Sequence, residues 1–228
     1  MKSSATLEAR MGYRFNAPQL LAEALRHSSF VNEQPDSELA DNERLEFLGD
    51  AVVNLVAGQI LMVRHPALPE GELSRMRAAL VNEACLAEIA RNLKLGDHLQ
   101  LGRGEELTQG REKDSILSDA YEALVAAIYL DGGFEIAFAQ VERQMNPFVA
   151  ALEGSEADYD YKTRLQERIQ SRYKVTPLYE LIGESGPDHD KRFTIQMKTP
   201  NLVTTGVGRS KKAAEQDAAR KAFEKLEG

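Results

Sequence analysis

The sequence predicts two domains of different class: an all-α domain over residues 1–153 and a small α+β domain of order α-β-β-β-α over 159–228, joined by a linker at 154–158. Three observations lead there. The 228 residues exceed the usual length of one domain. From Leu7 to Leu130 the apolar residues recur mainly at three- and four-residue intervals, the period of an amphipathic helix. After the small, polar, acidic stretch Glu153-Gly154-Ser155-Glu156-Ala157-Asp158 the pattern changes to a helix followed by short strand-like runs.

In the first domain the spacing predicts helices over 17–30, 41–64, 71–80, 82–93, 115–130 and 134–150, with breaks at Pro66, Pro69, Gly96, Gly102, Gly104 and Gly110. Asp131-Gly132-Gly133 stops the fifth helix, since glycine accepts the left-handed conformation that ends one. Gly102-Arg103-Gly104 lacks the strand and helix context of a phosphate-binding loop and reads as a turn. In the second domain a helix from Tyr161 to Tyr173 precedes strands at Leu178–Ser185, Arg192–Thr199 and Leu202–Gly208, separated by Gly186-Pro187-Asp188 and Pro200-Asn201 turns. A final helix, rich in Ala, Lys and Glu, covers 210–226, so that helices lie on one face of an antiparallel sheet.

Composition excludes several classes. A hydrophobic fraction of 43% and a charged fraction of 28% argue against intrinsic disorder. No apolar run approaches the roughly 18 residues of a membrane span, and the start, MKSSATLEARMGYRF, lacks the apolar core of a secretory signal. No membrane association and a cytoplasmic location are therefore expected. Cys85 is the single cysteine, which rules out an intrachain disulfide, and beside Ala84, Leu86 and Ile89 it reads as a small buried residue. The net charge of −8 is unevenly divided: residues 1–154 carry 14 basic and 24 acidic side chains, net −10, and residues 155–228 carry 14 and 12, net +2. Such asymmetry points to different work for the two domains.

Chemistry concentrates in two segments. In Asn42-Glu43-Arg44-Leu45-Glu46-Phe47-Leu48-Gly49-Asp50-Ala51-Val52, helical geometry puts Glu43, Glu46 and Asp50 on one stripe and Leu45, Leu48, Val52, Leu55 and Val56 on another. In Ser118-Asp119-Ala120-Tyr121-Glu122-Ala123, Asp119 and Glu122 share a face, with Leu117, Leu124 and Ile128 available for the core. If the two helices pack through their apolar sides, four or five carboxylates converge. Such a cluster is unfavourable without a cation, and all-oxygen ligation with retained water is what Mg²⁺ prefers. Metal ions held by shared carboxylates can activate water and stabilise a leaving oxygen in phosphodiester hydrolysis. Gly49, beside Asp50, would let a backbone or substrate approach closely. Acidic residues on helices are otherwise ordinarily solvated. The histidines His27, His65, His98 and His189 are scattered and show neither metal nor triad spacing.

The run at 42–52 resembles the signature motif of the ribonuclease III family, and Asp119-Ala120-Tyr121-Glu122-Ala123 resembles its second acidic motif. The resemblance covers about residues 7–227, in the domain order of the compact bacterial enzymes. It implies a divalent-metal-dependent endonuclease of double-stranded RNA using Mg²⁺, with Mn²⁺ able to substitute. By the same resemblance Glu46, Asp50, Asp119 and Glu122 are metal ligands, Asp50 and Glu122 being catalytic. Glu43 and Glu70 match further acidic positions that organise the catalytic valley or contact RNA. Phe47 matches an aromatic residue that inserts into the other subunit of a homodimer, where periodicity alone would equally allow an ordinary core Phe. Also implied are 5′-phosphate and 3′-hydroxyl ends with a short 3′ overhang, and substrates such as ribosomal RNA precursors and structured messenger RNAs.

In the second domain, Thr163, Gln166, Glu167 and Gln170 form a polar helix face suited to 2′-hydroxyls and base edges across the shallow minor groove of A-form RNA. The turn at Gly186-Pro187-Asp188-His189-Asp190-Lys191 would project His189 outward, although Asp188 and Asp190 add local negative charge. Lys211 and Lys212 sit in the first turn of a helix, whose positive end favours phosphate. In that order the three features resemble a double-stranded-RNA-binding domain, which implies minor-groove contacts from the first helix and His189, and phosphate contacts from Lys211 and Lys212. Two other readings remain: a non-catalytic RNA-binding protein that keeps the nuclease fold as a scaffold, and a metal-dependent phosphohydrolase of small molecules. The intact carboxylates speak against the first and the appended module against the second.

Overall fold

The structure, a computed structural model, describes residues 4–34, 38–154, 161–187 and 191–227. The chain divides into two compact units, Met1–Glu153 and Gly154–Gly228. The first is helical, and the second holds an antiparallel sheet with its helices, the fold class that the change of period predicts.

The first unit is built from α1 (Ser4–Met11), α2 (Pro18–Ala24), α3 (Ser28–Asn32), α4 (Glu43–Arg64), α5 (Glu70–Leu80), α6 (Glu83–Asn92), α7 (Arg103–Leu107), α8 (Asp114–Gly132) and α9 (Phe134–Gly154). Its axis is α8, because its sequence leaves almost no polar face: Ile116 to Ile128 are buried except for Asp119 and Glu122, which are half-buried. Helices α2, α4 and α6 pack around it. Small residues decide how closely: a Cβ on Gly49 of α4 would lie 1.9 Å from the carbonyl oxygen of Glu122, so the two backbones touch at that point. Alanines 57, 120, 123, 126 and 127 are fully buried in the same core.

Several sequence expectations need correction. The helix expected over 17–30 is two, α2 and α3, because the backbone between them turns to pair with another segment: His27 N–H donates to Gln100 O (3.1 Å) and Gln100 N–H to Leu25 O (2.8 Å). His27 then caps α3, its Nδ1 accepting from Ser29 N–H at 3.2 Å. Helix α1 was not expected, and 3₁₀ turns form at Leu95–His98 and Gly110–Glu112. The region read as a turn at 102–104 starts α7, held to α3 by the Gly102 N–H bond to Ser29 Oγ (2.9 Å). Cys85 is half-buried rather than buried. Leu55, assigned to the apolar stripe facing the core, is 58% exposed. Gly154 ends α9, whereas linker residues 155–158 lie outside the described residues.

Helix α4 also revises the expectation about apolar runs: over 18 of its residues the mean hydropathy is 1.5, long and apolar enough by length and composition to cross a membrane. That hydropathy has two sources. One face carries Leu45, Val52, Val53, Val56, Ala57, Ile60 and Leu61 into the core, and another carries Phe47 (83% exposed), Leu55 and Met62 (66% exposed) outward.

In the second unit α10 (Tyr161–Tyr173), β1 (Leu178–Ser185), β2 (Arg192–Thr199), β3 (Leu202–Gly208) and α11 (Lys211–Glu227) follow in order, and the strands pair antiparallel as β1-β2-β3. A register shift between Leu181 and Gly183 interrupts β1. Leu165 and Ile169 of α10, Met197 of β2 and Ala218, Ala219, Ala222 and Phe223 of α11 form the core. Helix α11 lies against β3 because Gly206 and Gly208 present no side chain: a Cβ on either would come within 2.5 Å of its backbone. Buried Thr204 ties the two together by donating from Oγ1 to Ala218 O at 2.7 Å.

The α4–α8 contact yields a direct test. Alanine ordinarily improves a helix by up to about 1 kcal/mol over glycine, yet Gly49→Ala is expected to destabilise the first unit by about 2 kcal/mol, because two packed backbones must separate. Urea unfolding followed by helical circular dichroism measures this, and a variant as stable as the parent would show that the contact does not set the packing.

Candidate functional site

The start of α4 is fixed from outside the helix. Asn42, almost fully buried, donates through its backbone N–H to Arg26 O (2.9 Å) and through its side-chain amide to Ala24 O (3.4 Å), while its carbonyl accepts the Glu46 N–H (2.8 Å). Glu43 and Glu46 therefore fall in the first helical turn, where the helix dipole favours negative charge. Asp50 stands one turn further on. Across the Gly49 contact, α8 presents Asp119 and Glu122.

Three of these carboxylates converge: oxygens of Glu46, Asp119 and Glu122 all lie within 4.8 Å of one another. All three side chains are half-buried. Asp50, expected in the same set, is exposed and is not one of the converging group. Its Oδ1 accepts a hydrogen bond from Asn54 Nδ2 at 2.9 Å. Glu43 is exposed nearby, and its charge acts on Glu46. Glu70 is not part of the convergence either; it opens α5, and its carboxylate accepts from Ser74 Oγ at 2.6 Å.

The electrostatics match the geometry. Burial, then the charges of Asp50, Asp119 and Glu46, push the Glu122 carboxyl up to about 8. Burial, then Asp119, Glu43 and Asp50, raise Glu46. Asp119 is raised by burial and by Glu83, against which Ser118 and His27 favour its charged form. Ser118 Oγ lies 3.3 Å from Asp119 Oδ1. Glu83, Asn54 and Ser118 were missed by the sequence reading. Asn54 had a signal, a polar residue continuing the stripe of 43, 46 and 50; Glu83, which begins α6, had none.

Phe47 is exposed, so it is no core residue of its own unit. The carboxylate stripe and the outward apolar stripe of Phe47, Leu55 and Met62 are neighbouring faces of α4.

In the second unit, Thr163, Gln166, Glu167 and Gln170 all lie exposed on α10, whose other face buries Leu165 and Ile169. Lys211 and Lys212 are exposed in the first turn of α11, where Ser210 Oγ accepts the Ala213 N–H at 3.1 Å. The Lys211 ammonium stands 5.9 Å from the Phe193 ring centroid, and Lys212 lines a cavity of about 390 Å³ with Tyr161, Ser210, Gln216 and Arg220. His189 lies outside the described residues.

Comparison with known proteins extends these observations. A family profile described as Ribonuclease-III-like matches residues 17–148, and one described as Double-stranded RNA binding motif matches residues 161–226. The chain is 51% identical over 221 residues to the Ribonuclease 3 of Geobacter metallireducens, an alignment that spans 96% of this chain and 90% of that protein. It is 47% identical over 221 residues to the Ribonuclease 3 of Myxococcus xanthus, spanning 96% and 85%. A solved nuclease domain of ribonuclease III from Campylobacter jejuni, described with structural flexibility in a region involved in dimer formation, is 45% identical with a TM-score of 0.59, covering 64% of this chain and 97% of its own.

The raised pKa values have a measurable consequence. Glu46, Asp119 and Glu122 hold protons more tightly in the fold than in the unfolded chain, so their contribution is fully present below their ordinary pKa and is lost as pH rises through their raised values, about 8 for Glu122. In the presence of a chelator, stability is expected to fall between pH 5 and pH 9. Water reaching the half-open site limits the Glu122 share to about 1–2 kcal/mol. Denaturant unfolding should accordingly find Glu122→Gln equal to the parent at pH 5 and more stable than it at pH 9; no gain at pH 9 would contradict the clustering.

Proposed function

The chain belongs to the ribonuclease III family, and we propose that it is a homodimeric endonuclease of double-stranded RNA in which Glu46, Asp50, Asp119 and Glu122 hold Mg²⁺. The observation that carries this reading is the convergence of three carboxylates on a chain that also holds a double-stranded-RNA-binding module. The donor set is all carboxylate oxygen, without nitrogen or sulfur, which suits a hard divalent cation, Mg²⁺ or in its place Mn²⁺.

When bound, the cation supplies Lewis acidity toward the phosphodiester and lowers the pKa of the attacking water. The protein's own residues prepare the place. Gly49 lets α8 bring Glu122 against α4, and Asn42 sets the height of Glu46. The Glu122 carboxyl, pushed up to about 8, would release its proton to hold a cation, so that cation affinity would rise with pH. Exposed Asp50 is free on the side away from Asn54 to complete the ligand set. Hydrolysis then leaves 5′-phosphate and 3′-hydroxyl ends with short 3′ overhangs, on substrates such as ribosomal RNA precursors and structured messenger RNAs.

A second copy of the chain is the partner that suits the outward apolar stripe of α4, with Phe47 as the inserted aromatic. The dimer-forming region named for the Campylobacter jejuni nuclease domain supports this. Two-fold symmetry fits a target whose strands are themselves related by approximate two-fold axes. In the second unit, Thr163, Gln166, Glu167 and Gln170 face the minor groove and Lys211 and Lys212 face phosphates of the intervening major groove, while a minor-groove contact from His189 rests on its place in the sequence alone. Glu43 and Glu70 act on RNA or on the shape of the valley rather than as ligands.

Two experiments test the division of labour. On a labelled RNA duplex in Mg²⁺, Glu122→Gln is expected to cut at least ~100-fold more slowly while binding the duplex in Ca²⁺ within about twofold of the parent; duplex binding by the parent without cutting would favour the scaffold reading. Replacing Lys211 and Lys212 with alanine is expected to flatten the log–log salt dependence of binding by roughly 1–2 units, and an unchanged slope would remove both lysines from the phosphate contacts.

A further inference from the structure

Between Asp50 and Gln59 the chain reads Ala-Val-Val-Asn-Leu-Val-Ala-Gly, and Asn54 is the one polar side chain among apolar and small ones. Asparagine costs a helix interior roughly 0.5 kcal/mol relative to alanine, so local folding does not favour it. Its position continues the stripe of Glu43, Glu46 and Asp50 by one more turn. There its amide nitrogen makes two bonds to one residue: to Asp50 Oδ1 at 2.9 Å and to the Asp50 carbonyl oxygen at 3.0 Å.

We infer that Asn54 is a positioning residue for the cation site: its amide fixes the Asp50 carboxylate by one oxygen and leaves the other oxygen directed to the cation held by Glu46, Asp119 and Glu122. The inference rests on the cation reading proposed above. An exposed aspartate at the edge of a cluster of like charges would otherwise turn toward water, since its repulsion from the converging carboxylates favours any rotamer that points away. A neutral donor at the next turn opposes that rotation without adding charge. The amide is anchored at the Asp50 carbonyl as well, so the donor is held by the helix backbone itself and the carboxylate by the donor. Hydrogen-bonded partners of ligands typically change metal affinity by about 10- to 100-fold when lost.

The test uses the full chain without RNA. Mn²⁺ titration followed by electron paramagnetic resonance gives the affinity of the parent, Asn54→Ala, Asn54→Gln and Glu122→Gln. Alanine is a good helix former and retains α4, whereas glutamine retains an amide donor at the same helical position. About tenfold weaker Mn²⁺ binding by Asn54→Ala is expected, with Asn54→Gln recovering most of the loss. In duplex cleavage, Asn54→Ala should need about tenfold more Mg²⁺ for half-maximal rate and reach nearly the parent rate at saturation, a split that a loss of helix stability would not produce. Mn²⁺ affinity equal in the parent and Asn54→Ala would overturn the inference and leave the cation site standing. Failure of the parent itself to bind Mn²⁺ better than Glu122→Gln would overturn the cation reading, and the inference with it.

Discussion

The contact between Gly49 and the backbone of Glu122 is the constraint on which the nuclease unit depends. Helices α4 and α8 approach until a methyl group at position 49 would overlap the Glu122 carbonyl, and the acidic residues of both sequence motifs are brought together by that approach. Separated by an ordinary helix-packing distance of about 8–10 Å, the same carboxylates would be two solvated stripes. Packed at the glycine, Glu46, Asp119 and Glu122 repel one another and are half-buried, so the fold carries an electrostatic cost that a bound cation offsets. The buried apolar residues of α8, from Ile116 to Ile128, supply the stabilisation that holds this arrangement.

The same device recurs in the RNA-binding unit with a different outcome. Gly206 and Gly208 of β3 and the alanines of α11 bring helix and strand into backbone contact, and Thr204 satisfies its buried hydroxyl across the junction. Among the described residues no charged side chain is buried there. The close packing instead fixes where α11 begins, and so where Lys211 and Lys212 project. In both units, residues without side-chain bulk decide the position of the residues that carry chemistry.

Helix α4 serves three surroundings at once. One face is core, one carries the carboxylates with Asn54 behind them, and one is apolar yet exposed, with Phe47 at its start. This explains why its composition passes for that of a membrane span: the apolar content expected of a core face is supplemented by that of an exposed apolar face. A helix with one partner needs only one apolar stripe.

Much of this was legible in the residues. The change from a helical to an alternating period marked the two fold classes, most elements lie within a residue or two of those expected, and the strands of the second unit coincide with them. The spacing of Glu46 and Asp50, and of Asp119 and Glu122, placed each pair on one helical face, because the period of a helix is a local property. Other features depend on residues distant in sequence. The break between α2 and α3 arises from hydrogen bonds to Gln100, the exposure of Phe47 and Leu55 from which faces of α4 the other helices cover, and the pull of Glu83 on Asp119 from α6 lying beside α8. Periodicity reports that a face is apolar but not what covers it. The sequence by itself therefore determined the fold class, the elements and the carboxylates available for chemistry, including the helical spacing that sets Asn54 beside Asp50, while the tertiary structure alone decided that three carboxylates meet, since convergence is set by how helices pack.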